Sequence, residues 1–249
     1  MAENVNSITG RLIASAGIEK GMQVLEFGCG NGEVSLLLAE AVGPEGRIVG
    51  LDSNESVLEM ARNRVQDKGL SQVEFIKEEL SETTAGLGEF DAIFGRRILM
   101  YLHDPVSILT NFSNMLKSGG VLAFQESDST LASGCIEALP LHEKVNGWLW
   151  RMVEGEGGNI HMGFELPSIL SKSGFIVEGV RAEAIIQGQK LHYPLADVVR
   201  AVLPRIVGQG IATEDEIDIE TLQQRLDDER PEHAVFISDL PFSVWARKP

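Results

Sequence analysis

The chemistry-bearing residues of this chain gather where short apolar runs end. Residues 26–32 read Glu-Phe-Gly-Cys-Gly-Asn-Gly, a carboxylate followed by glycines at alternate positions. Glycines so spaced let the backbone turn sharply and let a ligand lie against it. A helix starting there also offers unpaired N–H groups. Twenty residues beyond Gly32 stands Asp52, at the end of the next apolar run. A carboxylate at that place can accept two hydrogen bonds from a ribose diol, so the two features together describe an adenosine-type site. The dinucleotide fingerprint puts its third glycine three residues after the second, whereas Gly32 follows Gly30 by two. No G-x-x-x-x-G-K-[ST] phosphate loop occurs. Glu26 would repel a pyrophosphate and would suit a cationic amino group.

Further candidates follow later runs. Glu79 and Leu80 come after Val73–Ile76, Gly95 and Arg96 after Phe90–Phe94, and Glu126 after Val121–Phe124. Glu126, His103 and His142 are the candidate catalytic residues, with His161 a further candidate base. Arg96 and Arg97 are adjacent and so point in different directions. One can reach a cofactor carboxylate or an acidic substrate while the other is solvated or salt-bridged. Trp148, Trp150 and Met152 alternate and fit either the wall of an apolar pocket or ordinary core. Cys29 reads as a small packing residue. Gly95-Arg96-Arg97-Ile98 stands where a nucleobase amino-methylating site would carry [DNS]-P-P-[YFW]. Glu126 and Asp128 alone are too few oxygen ligands for magnesium, and no metal is expected.

Val24-Leu25-Glu26-Phe27-Gly28-Cys29-Gly30-Asn31-Gly32 resembles the first motif of the class I S-adenosylmethionine-dependent methyltransferases. Phe75-Ile76-Lys77-Glu78-Glu79-Leu80 is similar to the third motif, although many members have Gly-Asp where Glu78-Glu79 stands. Phe90 to Leu102 and Leu116 to Leu122 resemble the fourth-strand segment of the small-molecule branch and its turn into the fifth strand. The resemblance covers residues 20–126, and 163–186 more loosely. It implies S-adenosyl-L-methionine as cofactor. Glu26 and the backbone around Gly28 and Gly30 would hold the methionine portion, and Asp52 the ribose. Ser53 would lie beside the adenine, which Glu79 and Leu80 would frame. Gly95 and Arg96 would lie near the sulfonium end. It further implies a Rossmann-like, doubly wound, mostly parallel seven-stranded sheet with helices on both faces. The expected activity is methyl transfer to a small organic molecule by in-line displacement, with an O-, N- or C-nucleophile. The alternative is a non-catalytic cofactor-binding or partner subunit of the same fold.

The elements that must position these residues alternate through the first half. Strands are expected at Met22–Phe27, Arg47–Leu51, Val73–Ile76, Phe90–Phe94 and Val121–Phe124. Helices are expected at Glu33–Val42, after Asn54, and at Asp104–Lys117. Such alternation means a parallel sheet covered on both faces, with ligands beyond the carboxyl ends of its strands. From residue 127 the rhythm breaks. It returns with a helix at Glu165–Ser173 and a strand at Phe175–Ile186, breaks again over 187–232, and ends in two strand-like pieces around Pro241. The expected organisation is a cofactor-binding core, 1–126, completed by 163–186 and 233–249. Two insertions, 127–162 and 187–232, would form a mainly helical cap over the substrate.

The 249 residues are 43% hydrophobic and carry a formal charge of −16, spread evenly along the chain. That charge argues against nucleic acid and anionic membranes as partners. Two cysteines make neither a disulfide scaffold nor a zinc site. With no signal peptide and no run long enough to span a bilayer, the expectation is a cytoplasmic monomer or homodimer acting on a small-molecule substrate.

Overall fold

Strands buried on both faces need apolar side chains at successive positions, and QVLEF, RIVGLD and FDAIFGR supply them. In the computed structural model, which describes residues 2–79, 87–130, 134–188, 195–231 and 235–249, these runs are β1 (Gln23–Phe27), β2 (Arg47–Asp52) and β4 (Phe90–Arg96). A first helix, α1 (Ala2–Ser15), precedes them. Helices α2 (Glu33–Val42) and α3 (Glu55–Asp67) and strand β3 (Val73–Lys77) complete the early alternation. Asn54 caps α3 by accepting from the Ser56 N–H. Then come α4 (Pro105–Phe112), β5 (Leu116–Glu126), α5 (Pro140–Gly155), α6 (Met162–Lys172), β6 (Ile176–Ala182) and β7 (Ile185–Gln187). The chain closes with α7 (Leu195–Gly208), α8 (Glu214–Ile217), α9 (Ile219–Glu229), β8 (Phe236–Asp239) and β9 (Phe242–Arg247).

Seven strands form one sheet in the order β3-β2-β1-β4-β5-β9-β6. The first five are parallel, and β9 runs antiparallel between β5 and β6. Phe27 pairs with Leu51 on one side and Gly95 on the other, so β1, β2 and β4 end level. Their carboxyl ends, with Gly28, Asp52 and Arg96, therefore share one edge. Side chains alternate across the sheet. Leu25, Phe27, Leu51, Ile93 and Phe124 face the layer that contains α4 and α6. Val24, Ile48, Phe94 and Ala123 face Leu12 and Ile13 of α1 and Leu38 of α2. Burying each such large apolar side chain contributes ~1.5–3 kcal/mol.

Three features depart from the sequence expectation. The helix expected through Lys117 ends at Phe112 and passes through a 3₁₀ turn, Ser113–Met115. Leu116 instead pairs with Phe90, and the Lys117 ammonium meets Asp91 at 2.8 Å. Tertiary pairing thus overrides the helical periodicity. The strand expected at Phe175–Ile186 is two strands in different sheets, because the Glu183 N–H turns to the Pro241 carbonyl. Residues 140–155 form a 16-residue helix, in keeping with the mainly helical character expected of 127–162. The chain also begins with α1, where no element was expected.

Candidate functional site

The turn from β1 into α2 is built on left-handed glycines. Gly28 has φ +71° and Gly30 +52°, a region that costs other residues roughly 1–2 kcal/mol. A Cβ on Gly28 would come within 2.5 Å of the Ile98 side chain, whereas a Cβ on Gly30 would meet nothing within 4 Å. The backbone at Gly30 therefore borders open space. Its N–H donates to Asp52 Oδ2 at 2.9 Å, and the Asn54 N–H donates to Oδ1 at 3.0 Å. Two backbone donors thus fix the Asp52 carboxylate, half-buried at the end of β2, against the glycine turn. Ser53, next to it, is half-buried. Glu26 is buried, and the Ser35 hydroxyl donates to it. Burial pushes its pKa up to about 8, against the opposing pull of Ser35 and the Arg96 guanidinium. Glu79 is exposed just past β3, and Leu80 lies outside the described residues. Cys29 is buried, and its N–H donates to the Leu51 carbonyl.

At the end of β4 the two arginines do diverge. A Cβ on Gly95 would collide with Phe124 and Ile98, so the strand passes tightly beneath Ile98. Arg96 pairs with Glu33 at the start of α2 at 2.7 Å and donates to Asn6 and Thr9 of α1, each at 3.2 Å. Thr9 in turn donates to Gln125 of β5. One guanidinium therefore ties together α1, α2 and β4. Arg97 adopts φ +54° and turns the other way. Its Nε donates to Ser127 Oγ at 2.9 Å and its Nη2 to Asp239, while Ser127 Oγ donates to Asp239 at 3.1 Å.

The candidate proton acceptors do not converge. Glu126, fully buried, accepts the Ile98 and Leu99 N–H groups on Oε1 at 3.0 and 2.8 Å. It thereby holds the 3₁₀ turn Leu99–Tyr101. Burial pushes its pKa up to about 7, against those N–H groups. Its Oε2 is buried without a hydrogen-bond partner. His103 is exposed beyond that turn. His142 is buried on α5, 2.7 Å from Glu229 of α9, with its ring against Phe236. His161 is exposed beside Thr130 and Asp128.

A cavity of about 180 Å³ opens beyond the ends of β4 and β5. Its walls are mainly apolar, from Met100, Leu149, Trp150, Met152 and Val202. Arg97, Ser127 and Asp239 form one polar edge, and Arg205, paired with Glu156, is a second. Of the three alternating residues, Trp150 and Met152 line this cavity, and Trp148 is core. His142 lines a separate and smaller space. Asn6, Thr9, Ser127 and Asp239 were absent from the sequence-derived candidates. No local signal marks them, because their partners lie 27 to 142 positions away.

A known methyltransferase domain family matches residues 18–196. The chain belongs to the class I S-adenosylmethionine-dependent methyltransferases. The chain is 34% identical over 106 residues to the demethylmenaquinone methyltransferase of Listeria welshimeri, covering 43% of this chain and 45% of that protein. It is 30% identical over 112 residues to the Lactococcus lactis protein of the same name, covering 45% and 44%. The chain thus spans less than half the length of the curated relatives it matches. Its fold resembles a SAM-dependent methyltransferase from Aquifex aeolicus, with TM-score 0.59, 18% identity, and coverage of 97% of this chain and 89% of that one. It also resembles the geranyl diphosphate C-methyltransferase of Streptomyces coelicolor, with TM-score 0.60, 14% identity, and coverage of 98% and 80%. Among the described residues no helix is long and apolar enough to cross a membrane.

Proposed function

We propose that this protein transfers a methyl group from S-adenosyl-L-methionine to a small organic molecule. The observation that carries the reading is the space beside Gly30: left-handed backbone, open where a Cβ would stand, and bonded to Asp52. The residues around it fit the cofactor. Asp52 has further lone pairs for ribose hydroxyls after accepting its two backbone N–H groups. Buried Glu26 would ionise beside the amino group, and the backbone at Gly28 and Gly30 would flank the same end. Ser53 and Glu79 would lie beside the adenine, with Gly95 and Arg96 beyond Glu26. When bound, the cofactor supplies an electrophilic methyl carbon on a good leaving group.

The chain's own residues then align the nucleophile and exclude water. Met100, Leu149 and Trp150 supply apolar walls. Glu126 shapes the site by holding the turn that carries Met100. Helices α5, α7 and α9 pack on one another. This supports a core of 1–126, 163–186 and 233–249 with a substrate-holding cap from 127–162 and 187–232.

Calorimetric titration with S-adenosylhomocysteine tests the reading. The wild-type chain is expected to bind one equivalent, and Asp52→Asn to bind at least tenfold more weakly, because hydrogen bonds to a charged acceptor are worth ~1.5–3 kcal/mol each. No binding by the wild type, or unchanged affinity in the variant, would overturn it.

A further inference from the structure

The cavity beyond β4 and β5 has a composition that narrows what it takes, and the argument rests on the methyl-transfer reading above. Its volume of about 180 Å³ compares with the ~150 Å³ that admits one benzene ring. Its polar edge is a built cluster. Arg97 holds a left-handed backbone that is costly for a residue with a side chain, and such positions gather at functional sites. Ser127 and Asp239, from the end of β5 and from β8, fix its guanidinium. Each arginine of the lining has a carboxylate partner. Arg97 faces Asp239, and Arg205 faces Glu156 at the far edge. An anionic headgroup would have to displace a carboxylate from one of these pairs. A neutral hydroxyl meets both partners at once, accepting from Arg97 and donating to Asp239.

We propose that the cavity takes a neutral, ring-sized apolar molecule bearing one hydroxyl, a phenol or enol, which Arg97 and Asp239 orient. Arg97 is thus a specificity-determining residue, and Trp150 and Val202 are walls against the ring.

The test is calorimetry of the full chain with three probes of one shape: 4-propylphenol, propylbenzene and 4-propylbenzoate. Each is titrated with and without saturating S-adenosylhomocysteine. The phenol should bind roughly ten- to a hundredfold more tightly than propylbenzene, the range expected for a hydrogen bond to a charged group. It should also bind more tightly than the benzoate. Arg97→Gly, which suits the left-handed backbone, should erase the preference over propylbenzene. Asp239→Asn gives the second reading if that variant does not fold, and should reduce the same preference at least threefold. Val202→Trp, which fills the cavity, should abolish binding of the phenol. The proposal is overturned if no probe binds at millimolar concentration, if the benzoate binds best, or if the phenol preference survives both polar substitutions. It also fails if Val202→Trp leaves phenol binding intact. Failure of S-adenosylhomocysteine to bind would sink the methyl-transfer reading instead, and the probe titrations without it would still report on the cavity.

Discussion

Glu26 is the residue whose ionisation depends most on where the fold puts it. Its pKa of about 8, set by burial, lies well above the ordinary 4.5, so at neutral pH the carboxyl is mostly protonated. A cationic amino group placed beside it would favour the charged form. Binding of S-adenosylhomocysteine at pH 7 should therefore release close to one proton. Binding enthalpies in buffers of different ionisation heat measure this directly, and Glu26→Gln should remove the release. The same shift sets a stability profile. A carboxyl whose folded pKa is raised stabilises the fold fully below pH 4.5, and that contribution is lost as pH rises through 8. Relative to Glu26→Gln, wild type should lose stability between those values, by on the order of 5 kcal/mol at the alkaline limit. Parallel urea denaturation of the two proteins from pH 5 to 9 reads it, and a constant difference would contradict the burial. At this scale the sequence was most legible where the chemistry is local. Glu26, Gly28, Gly30 and Asp52 sit at the ends of adjacent strands, so spacing alone assembles them. The Arg97–Asp239 contact spans 142 positions and depends on how the last strands return to the sheet.

Among the elements, α1 is the one that spacing did not disclose and the site depends on. It brings Asn6 and Thr9 to Arg96, and its buried face, Ile8, Leu12 and Ile13, covers the sheet and its neighbours. Its sequence AENVNSITGRLIAS mixes polar residues and a glycine into the apolar pattern, so its helicity comes from packing rather than from propensity. Leu12 is fully buried. Leu12→Ala should cost ~2–5 kcal/mol as a cavity-forming change, measured by urea unfolding. A loss under ~1 kcal/mol would mean that α1 does not pack as described. The same competition between local pattern and tertiary pairing shortened the helix expected through Lys117. Leu116 continues the apolar rhythm of α4, but the edge of β4 claims it. Parallel strands β1, β2, β4 and β5 were readable because each holds a buried apolar run bounded by glycine or by charge, and the edge strand β3 keeps only a half-buried Val73, Phe75 and Ile76. β6, half exposed along its length, ran on in the sequence into β7.

Across the whole molecule, the glycine turn and the apolar cavity both lie at the carboxyl edge of one sheet. The level ends of β1, β2 and β4 present Glu26, the glycine turn and Asp52, and the 3₁₀ turn held by Glu126 carries Met100 into the wall of the apolar cavity. The net charge of −16 is not uniform in effect. Glu26 and Asp52 face the glycine turn, while Asp239 and Glu156 each neutralise an arginine at the cavity. The sequence could not show that division, because it depends on which late elements fold back over β4 and β5. A crystal structure with S-adenosylhomocysteine tests the central claim most directly. The account predicts ribose hydroxyls on Asp52 and the aminoacyl end against Glu26 and Gly30. A ligand bound elsewhere, or one whose ribose makes no contact with Asp52, would contradict it.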